Sequence, residues 1–389
     1  MQITIVAPVL GEENNGTSVA TMNLVNSLRA KGHKVNVVCG DAWRKDQEGF
    51  YVLPKLSLGP IDPIIAANNV SLAKFDKQII KEACKGSDVV HVMMPLFLGA
   101  KVGKFVAKEL HIPVTGGFHA QAENFTSHIF NFMHWDWFNR KVYKMYYKNL
   151  YQYCDAIHYP TKFIQNVFEE IVGPTNGYVV SNGVRRSYFK KEVERPEHLK
   201  NKKIILFTGR MSKEKSHSVL VKAVALSKYE SEIQLVFAGQ GPKKKQIEKL
   251  SNKLLTNQPL MKFFTFDELN DMINMADLYV HPAEIEIEAI SCLEAIKCGK
   301  VPVIANSKGC ATKAFALDER SLFKVNNARD LSDKIDYWFD HEDERLKMEK
   351  EYAKSPIVDS VEVSMDRMED MFMEVIKDAK TKKSLLLQE

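Results

Sequence analysis

The sequence lacks the features of a membrane-spanning, secreted or metal-stabilised chain. It has no run of about 18 apolar residues, so we expect no helix that crosses a membrane. The opening segment MQITIVAPVL starts directly on an apolar strand without a basic segment before it, so we expect no secretory signal peptide. The six cysteines are scattered without C-x-x-C spacing, which argues against a disulfide framework or a zinc site. We therefore expect a cytoplasmic protein with no bound metal.

A strong excess of one charge is also missing. The net charge is +5 over 389 residues, which permits an anionic partner without requiring one. No recognised nucleic-acid-binding motif accompanies this charge, so nucleic acid is not an expected partner. The chain is long enough for two domains, and its 45% apolar and 26% charged residues are typical of a folded globular protein.

The first half alternates short apolar strands with segments of helical periodicity. ITIVAP (3–8), an amphipathic segment and VNVVCG (35–40) form a βαβ pattern, which predicts a doubly wound parallel sheet with its ligand edge at the strand carboxyl ends. Gly16, in the loop Asn15-Gly16-Thr17, lies at that edge. It either makes a turn or lets the backbone approach a ligand.

A histidine marks another strand end of the first half. IPVTGGFH (112–119) ends in His119, and polar residues follow it immediately. An isolated histidine is more often structural, but Gly-Gly before it and polar neighbours after it favour a ligand site.

Residues 125–153 have the most unusual composition of the chain, because they combine aromatic and basic side chains. Tryptophan anchors with basic residues are typical of a helix lying in an anionic membrane interface. The alternative is a core helix whose aromatics pack inward. The residues that we assign to acceptor or membrane binding are Trp135, Trp137, Arg140, Lys141, Lys144 and Lys148.

The second half opens on a strand, a glycine turn and a helix in residues 203–227. Gly209, Arg210 and Lys215 lie in the turn, so two cations flank the predicted start of a helix. Cations and a helix dipole at one place can hold a diphosphate. The alternative is a pair of solvated surface charges.

An acidic segment follows, HPAEIEIEAISCLEAIKCG (281–299). A strand leads into a loop that carries Glu286, and a helix is predicted to begin near Ala289 and Ile290 with Glu294 in its second turn. A carboxylate and free backbone N–H groups at a helix start suit a polar ligand.

The patterns G-R-x4-K at Gly209–Lys215 and E-x7-E at Glu286–Glu294 resemble those of glycosyltransferase family 4, a retaining family with the GT-B fold. Asn182-Gly183-Val184 and the strand-end His119 are similar to the family pattern as well. Two positions depart from it: Ala289 replaces the usual glycine, and Ala120 replaces the usual aspartate after the histidine.

The resemblance implies an α/β protein with two Rossmann-like, doubly wound parallel-sheet domains facing a central cleft. An acceptor-binding domain would span 1–173, joined by a C-terminal crossing helix over 356–389. A nucleotide-sugar-binding domain would span 174–355.

The resemblance also implies the site roles. Arg210 and Lys215 would hold the donor diphosphate, Glu286 and His119 would orient the sugar, and Glu294 would hold the ribose. No bound metal is implied. The donor-contacting residues implied are Gly16, Asn182, Gly209, Arg210, Lys215, Glu286, Ala289, Ile290 and Glu294.

The expected reaction is transfer of a hexose, by preference glucose, from a UDP-sugar with retention at the anomeric carbon. A general likeness to bacterial diacylglycerol glucosyltransferases, with the basic aromatic stretch, favours a membrane lipid acceptor and a peripheral position on the inner face of the plasma membrane. A soluble or polymer-linked acceptor in surface polysaccharide assembly, and a non-catalytic nucleotide-sugar-binding protein, remain alternatives. The sequence does not distinguish the nucleotide base or the oligomeric state.

Overall fold

The chain folds into two compact units. The computed structural model describes residues 1–8, 10–11, 16–57, 59, 73–96, 98–129 and 134–386. The first unit comprises Met1–Asn182 and Val361–Glu389, and the second comprises Gly183–Ser360. Asn15, part of the predicted ligand-edge loop, lies outside the described residues.

The described part of the first unit contains a seven-stranded sheet. Its strands are β1 (Gln2–Val6), β2 (Lys34–Cys39), β3 (Phe50–Val52), β4 (Val89–Val92), β5 (Val114–Gly117), β6 (Ala156–Tyr159) and β7 (Gly177–Val179). All neighbouring strands are parallel, in the order β3–β2–β1–β4–β5–β6–β7. The order reverses at β1, so the loops after β1 and β4 form the expected ligand edge.

Helices cover this sheet, which explains why its strands are apolar throughout. Ile3 and Ile5 of β1 and Val37 of β2 are fully buried, as a strand covered on both faces requires. The helices are α1 (Gly16–Ala30), α2 (Lys77–Ala83), α3 (Leu98–Phe105), α4 (Ala122–Ile129), α5 (Asp136–Asn149) and α6 (Lys162–Val172).

The second unit repeats this architecture. Its main sheet contains β8 (Lys203–Thr208), β9 (Ile233–Ala238), β10 (Leu260–Lys262), β11 (Leu278–His281), β13 (Pro302–Asn306) and β15 (Leu322–Lys324). The order is β10–β9–β8–β11–β13–β15, again with parallel neighbours. A separate parallel pair joins β12 (Ile285–Glu286) to β14 (Gly309–Cys310). The helices are α7 (His217–Leu226), α8 (Lys244–Leu254), α9 (Phe266–Met275), α10 (Ile290–Lys297), α11 (Ala328–Asp340) and α12 (Glu342–Lys354).

The C-terminal helix α13 (Val361–Leu386) belongs to the first unit. Its buried residues Met368, Met371 and Phe372 lie in the same hydrophobic cluster as Ile3 and Ile5 of β1. The Lys31 ammonium also contacts the carboxylates of Asp366 and Glu369 on this helix.

The structure shifts both domain boundaries towards the C-terminus. Residues 177–179 were assigned to the second domain, but Gly177 pairs with Ile157 and extends the first sheet as β7. The C-terminal helix begins at Val361 and not at 356, because Ser360 bridges to Val184 and Asp359 accepts a hydrogen bond from the Val184 N–H at 2.9 Å. These contacts hold 359–360 in the second unit.

Candidate functional site

Of the predicted cations and carboxylates of the second unit, Lys215 and Glu286 are in contact, near the point where its strand order reverses. β8 and β11 are adjacent in the sheet. The strands that follow them, β9 and β13, lie on opposite sides of this pair. Ligands of open α/β sheets bind outside the strand carboxyl ends at such a reversal. Gly209 and the half-buried Arg210 follow β8, and Lys215 ends the 3-10 turn Lys213–Lys215 before α7.

Close packing of two glycine loops shapes this edge. A Cβ on Gly239 would lie 2.2 Å from the Gly209 carbonyl oxygen, and one on Gly241 would lie 2.4 Å from that of Met211. The Met211 N–H also donates to the Gln240 carbonyl at 2.8 Å. The G-x-G at 239–241 therefore lets the loop after β9 support the loop that carries Arg210.

Glu286 is placed by a strand that the sequence analysis treated as a loop. It pairs with Cys310 in the β12–β14 ribbon, and its carbonyl accepts from the Ala311 N–H at 2.9 Å. Two residues earlier, the Glu284 N–H donates to the Glu214 carbonyl at 2.8 Å. These bonds fix the acidic segment against the turn that contains Lys215.

The side chains of Lys215 and Glu286 form an ion pair, and each is only 17% exposed. Burial by itself raises the pKa of Glu286, but the Lys215 ammonium and His281 outweigh it and lower that pKa to about 2. Burial likewise lowers the pKa of Lys215, and the carboxylates of Glu286 and Glu214 reverse this to a raised value. Both partners are therefore charged near neutral pH.

His281 is a site residue that the sequence analysis missed. It ends β11, is 1% exposed, and places Nε2 3.6 Å from Glu286 Oε2. Burial lowers its pKa, although the Glu286 carboxylate partly opposes the shift. The available signal was the same as for His119, a histidine at the end of a buried strand that enters a polar loop.

Glu294 lies in the second turn of α10, as predicted, and its environment differs from that of Glu286. Burial raises the pKa of its carboxyl to about 8, with Arg185 and Tyr188 acting in the opposite direction. Glu294 is therefore largely neutral near pH 7, and a neutral carboxyl can both donate and accept hydrogen bonds.

Ala289 occupies the position before α10 in a left-handed conformation, with φ of 62° and ψ of 64°. Side chains with a Cβ disfavour this region, which explains why a glycine is usual there. Ser216, before α7, is also left-handed with φ of 51°. Ile290 begins α10, so its backbone N–H is among those without a partner inside the helix.

In the first unit, His119 lies beside two histidines that the sequence analysis did not single out. The ring centroids of His119 and His158 are 5.4 Å apart, and those of His91 and His158 are 6.4 Å apart. Burial and these neighbours lower the pKa of His119 well below its usual value. Gly117 makes room for the cluster, since a Cβ there would lie 2.8 Å from the His119 ring.

Gly16 and Asn182 also lie in the first unit. Gly16 is the exposed first residue of α1 and does not make a turn, and a Cβ there would meet nothing within 4 Å. Asn182 is 8% exposed and ends the continuous N-terminal part of the unit. The predicted donor contacts of these two residues remain predictions.

Helix α5, in the basic aromatic stretch 125–153, has aromatic side chains both in the core and on the surface. Tyr143 and Tyr146 are buried in the unit, at 1% and 0% exposure, whereas Trp135 and Trp137 are 47% and 55% exposed. The exposed residues include a stripe, the α5 stripe, formed by Trp137, Lys141, Lys144 and Lys148. Arg140 lies off this stripe and contacts Glu170 at 3.5 Å.

The part of the chain that the structure describes contains neither a metal-binding cluster nor a membrane-spanning helix. No group of three or more histidine, cysteine, aspartate or glutamate side chains there is arranged to hold a metal ion. No helix there combines the length and apolarity needed to span a bilayer.

Two doubly wound parallel-sheet units, with the polar cluster at the strand reversal of the second, are the GT-B architecture. The chain belongs to the family 4 glycosyltransferases: the model described as Glycosyltransferase Family 4 matches residues 14–188, and the model described as Glycosyl transferases group 1 matches residues 189–355.

Individual relatives are more distant or partial. An alpha-monoglucosyldiacylglycerol synthase of Streptococcus pneumoniae is 23% identical over 56% of this chain, which spans about half, 52%, of that relative. The Anabaena protein HepE, solved with UDP and glucose, is 14% identical with a TM-score of 0.75, covering 96% of this chain and 100% of that one. The catalytic domain of Helicobacter pylori cholesterol-alpha-glucosyltransferase is 53% identical over 39% of this chain and 94% of that one, at a TM-score of 0.38, too low for an argument about fold.

Proposed function

We propose that the chain is a retaining glycosyltransferase that moves a hexose, by preference glucose, from a UDP-sugar to a membrane lipid such as diacylglycerol. The observation that carries the proposal is the buried Lys215–Glu286 ion pair at the strand reversal of the second unit. Family membership and the HepE complex with UDP and glucose support a nucleotide-sugar donor.

In the proposed reaction the anomeric C–O bond to the diphosphate breaks, and the acceptor oxygen bonds to the same face of the sugar. Arg210 and Lys215 stabilise the negative charge that develops on the departing phosphate. That phosphate takes the proton of the acceptor hydroxyl. Glu286 orients the sugar and Glu294 holds the ribose, while the backbones at Gly209, Ala289 and Ile290 contact the donor.

His119, Gly16 and Asn182 are the remaining proposed contacts. His119 orients the sugar as a neutral imidazole, since burial keeps its pKa low. Gly16 and Asn182 contact the donor. Removing the His119 imidazole should lower kcat, because a polar contact to the reacting sugar is lost.

The acceptor proposal has two supports. The Streptococcus relative is named as a synthase of alpha-monoglucosyldiacylglycerol. The α5 stripe exposes one tryptophan and three lysines. An anionic bilayer would attract such a stripe. The competing acceptor is a soluble or polymer-linked saccharide. It is favoured by the burial of Tyr143 and Tyr146, which gives part of the aromatic composition a core role.

A transfer assay separates these candidates. The purified protein is incubated with radiolabelled UDP-glucose, UDP-galactose or GDP-mannose, with and without anionic vesicles that contain diacylglycerol, and the organic phase is counted. Label in lipid supports the proposal, and the anomeric configuration of the product then tests retention. Release of free sugar without labelled lipid moves the acceptor into solution. Nucleotide binding without any turnover overturns the enzyme proposal and favours a binding protein.

Two substitutions test the site itself. Glu286→Gln and Lys215→Ala should each lower transfer by about 100-fold or more, because the first removes the carboxylate that orients the sugar and the second removes a cation that stabilises the departing phosphate. Lys222→Ala, at an exposed position of α7, is the control for loss of one positive charge. Wild-type activity in either site variant, with an intact fold, would contradict these roles.

A further inference from the structure

The two contacts to the Glu286 side chain reach the same carboxylate oxygen. Lys215 Nζ contacts Oε2, and His281 Nε2 lies 3.6 Å from that same atom. The other oxygen, Oε1, accepts no hydrogen bond from any residue that the structure describes. One oxygen of Glu286 is thus held by the protein while the other is available to a ligand.

His281 Nε2 faces the Glu286 carboxylate but does not form a hydrogen bond with it. A separation of 3.6 Å is longer than a hydrogen bond, and Nε2 is buried without a hydrogen-bond partner in the described part of the chain. Leaving a buried N–H unpaired is destabilising. A movement of Glu286 by well under 1 Å towards His281 would satisfy this donor.

The Glu286 carboxylate favours the tautomer needed for this bond, because an oxygen that only accepts hydrogen bonds faces Nε2 at 3.6 Å. Behind the ring, Ser291 Oγ donates to the Thr208 carbonyl at 3.0 Å, and Tyr279 Oη donates to Ser291 Oγ at 3.2 Å and lies 3.4 Å from His281 Nδ1. With the proton on Nε2, Nδ1 is an acceptor, and the Tyr279 hydroxyl can rotate from Ser291 to donate to it. The Nε2–H then points towards Glu286.

We propose that His281 is a positioning residue that takes over Oε2 of Glu286 when a donor diphosphate draws away the Lys215 ammonium. The carboxylate then remains fixed with Oε1 turned towards the sugar. This inference rests on the proposed function, because it assigns Glu286 to the sugar and Lys215 to the diphosphate.

A neighbouring histidine provides a matched comparison. His217, the first residue of α7, is also buried. Its ring centroid lies 4.6 Å from that of Phe207 and 5.1 Å from that of Phe237. The His281 ring lies 5.5 Å from that of Phe207. Both histidines therefore pack on Phe207, but among them only His281 is directed at Glu286.

Three variants separate positioning from packing. His281→Phe keeps an aromatic ring but removes Nε2, and it should lower kcat by about 10–100-fold, since a misplaced carboxylate is felt mainly in the transition state. The KM for the donor should change little, because the diphosphate contacts remain. His281→Gln can donate from nearly the same place and should restore most of kcat. His217→Phe should resemble wild type.

Two outcomes would overturn the inference. If His281→Phe retains wild-type kcat, Nε2 does not position Glu286. If His281→Gln is as impaired as His281→Phe while both variants melt like wild type, hydrogen-bond donation is not what matters.

A spectroscopic measurement tests the contact independently of turnover. In histidine-labelled protein, the His281 ring is identified by the 15N signal that disappears in His281→Gln. It should show the Nε2–H tautomer, and it should shift in Glu286→Gln and on addition of UDP. An unshifted signal in Glu286→Gln would refute the positioning role. Absence of turnover with a shifted signal would instead refute the proposed function while leaving the contact intact.

Discussion

Ala289 departs from the pattern of its family and lies in a left-handed conformation. It keeps the left-handed conformation that glycine adopts readily, with φ of 62°, and helix α10 still begins at the next residue. For a residue with a Cβ this conformation costs about 1–2 kcal/mol. The departure is therefore a local strain at the start of the helix that carries Glu294.

Relief of this strain should stabilise the second unit. We expect Ala289→Gly to raise the free energy of unfolding by about 1 kcal/mol, because the native φ then carries no Cβ penalty. Denaturant unfolding of the two proteins measures the difference. Ala295→Gly, in the interior of the same helix, is the control and should destabilise by about 1 kcal/mol or more. A loss of stability in Ala289→Gly would contradict the assigned conformation.

Glu294 should make stability fall as the pH rises. Its pKa is about 8 in the folded chain, above the ordinary value of 4.5, so the folded state holds its proton more tightly. The contribution to stability is complete below about pH 4.5 and is lost as the pH rises through about 8. Unfolding midpoints of wild type should therefore fall relative to those of Glu294→Gln as the pH rises from about 4.5 to about 8. Glu351→Gln, at an exposed position, is the control for loss of one negative charge. Parallel plots of unfolding midpoint against pH for all three proteins would contradict the expectation.

Some of these residue-level features were predictable and others were not. G-R-x4-K places Arg210 and Lys215 in the loop between β8 and α7, and E-x7-E places Glu294 in the second turn of α10, as the strand–turn–helix pattern predicts. The contact of Lys215 with Glu286 was not predictable, since it depends on the pairing of β12 with β14. His281 was missed for the same reason, because only the fold shows what a buried histidine faces.

Helix α5 has one face in the core of the first unit and another in solvent. The aromatic and basic composition predicts either a membrane-interface helix or a core helix, but it does not show which rings are exposed. The structure assigns Tyr143 and Tyr146 to the buried face and Trp137 to the exposed α5 stripe, where the Lys141 ammonium lies 4.7 Å from its ring centroid. Such a helix can contribute to both stability and surface binding.

Charge reversal of the α5 stripe tests surface binding. The triple variant Lys141→Glu, Lys144→Glu and Lys148→Glu should bind anionic vesicles at least about 100-fold more weakly. Each lysine near an anionic surface contributes about 1 kcal/mol to binding, so losing three accounts for this factor. Donor binding should be unchanged. Vesicle sedimentation measures the former, and calorimetry with UDP measures the latter.

Another lysine set gives a closely matched control. Lys101, Lys104 and Lys108 are exposed and have the same sequence spacing as the lysines of the α5 stripe. Their reversal to glutamate changes the net charge equally, so it should weaken vesicle binding less. Equal loss in both triple variants would attribute binding to net charge, and unchanged sedimentation of the α5 variant would refute the membrane-facing role.

At the scale of the whole molecule, the first unit depends on residues from both ends of the chain. Met368, Met371 and Phe372 of α13 complete a cluster that contains residues of β1. Burial of each such side chain contributes about 1.5–3 kcal/mol, so loss of the helix removes a large part of a typical domain stability. The sequence indicated a helix here by its periodicity, but its exact start depended on the bridge of Ser360 to Val184.

Truncation should therefore affect the two units differently. We expect a chain ending at Ser360 to lose the cooperative unfolding transition of the first unit while the second unit keeps its own. Calorimetry can follow both transitions, and the fluorescence of Trp338, which is buried in the second unit, reports the second one separately. A chain ending at Lys380 lacks only the last turns, in which residues 381–385 are exposed, and should behave like wild type. Retention of both transitions after truncation at Ser360 would contradict this dependence.

The discontinuous first unit also fixes an order of events during synthesis. Its strands are translated before the second unit, yet the helix that completes their core is translated after it. The uninterrupted second unit can therefore fold before α13 is made. Until α13 is available, the strands of the first unit lack the side chains that complete their hydrophobic cluster.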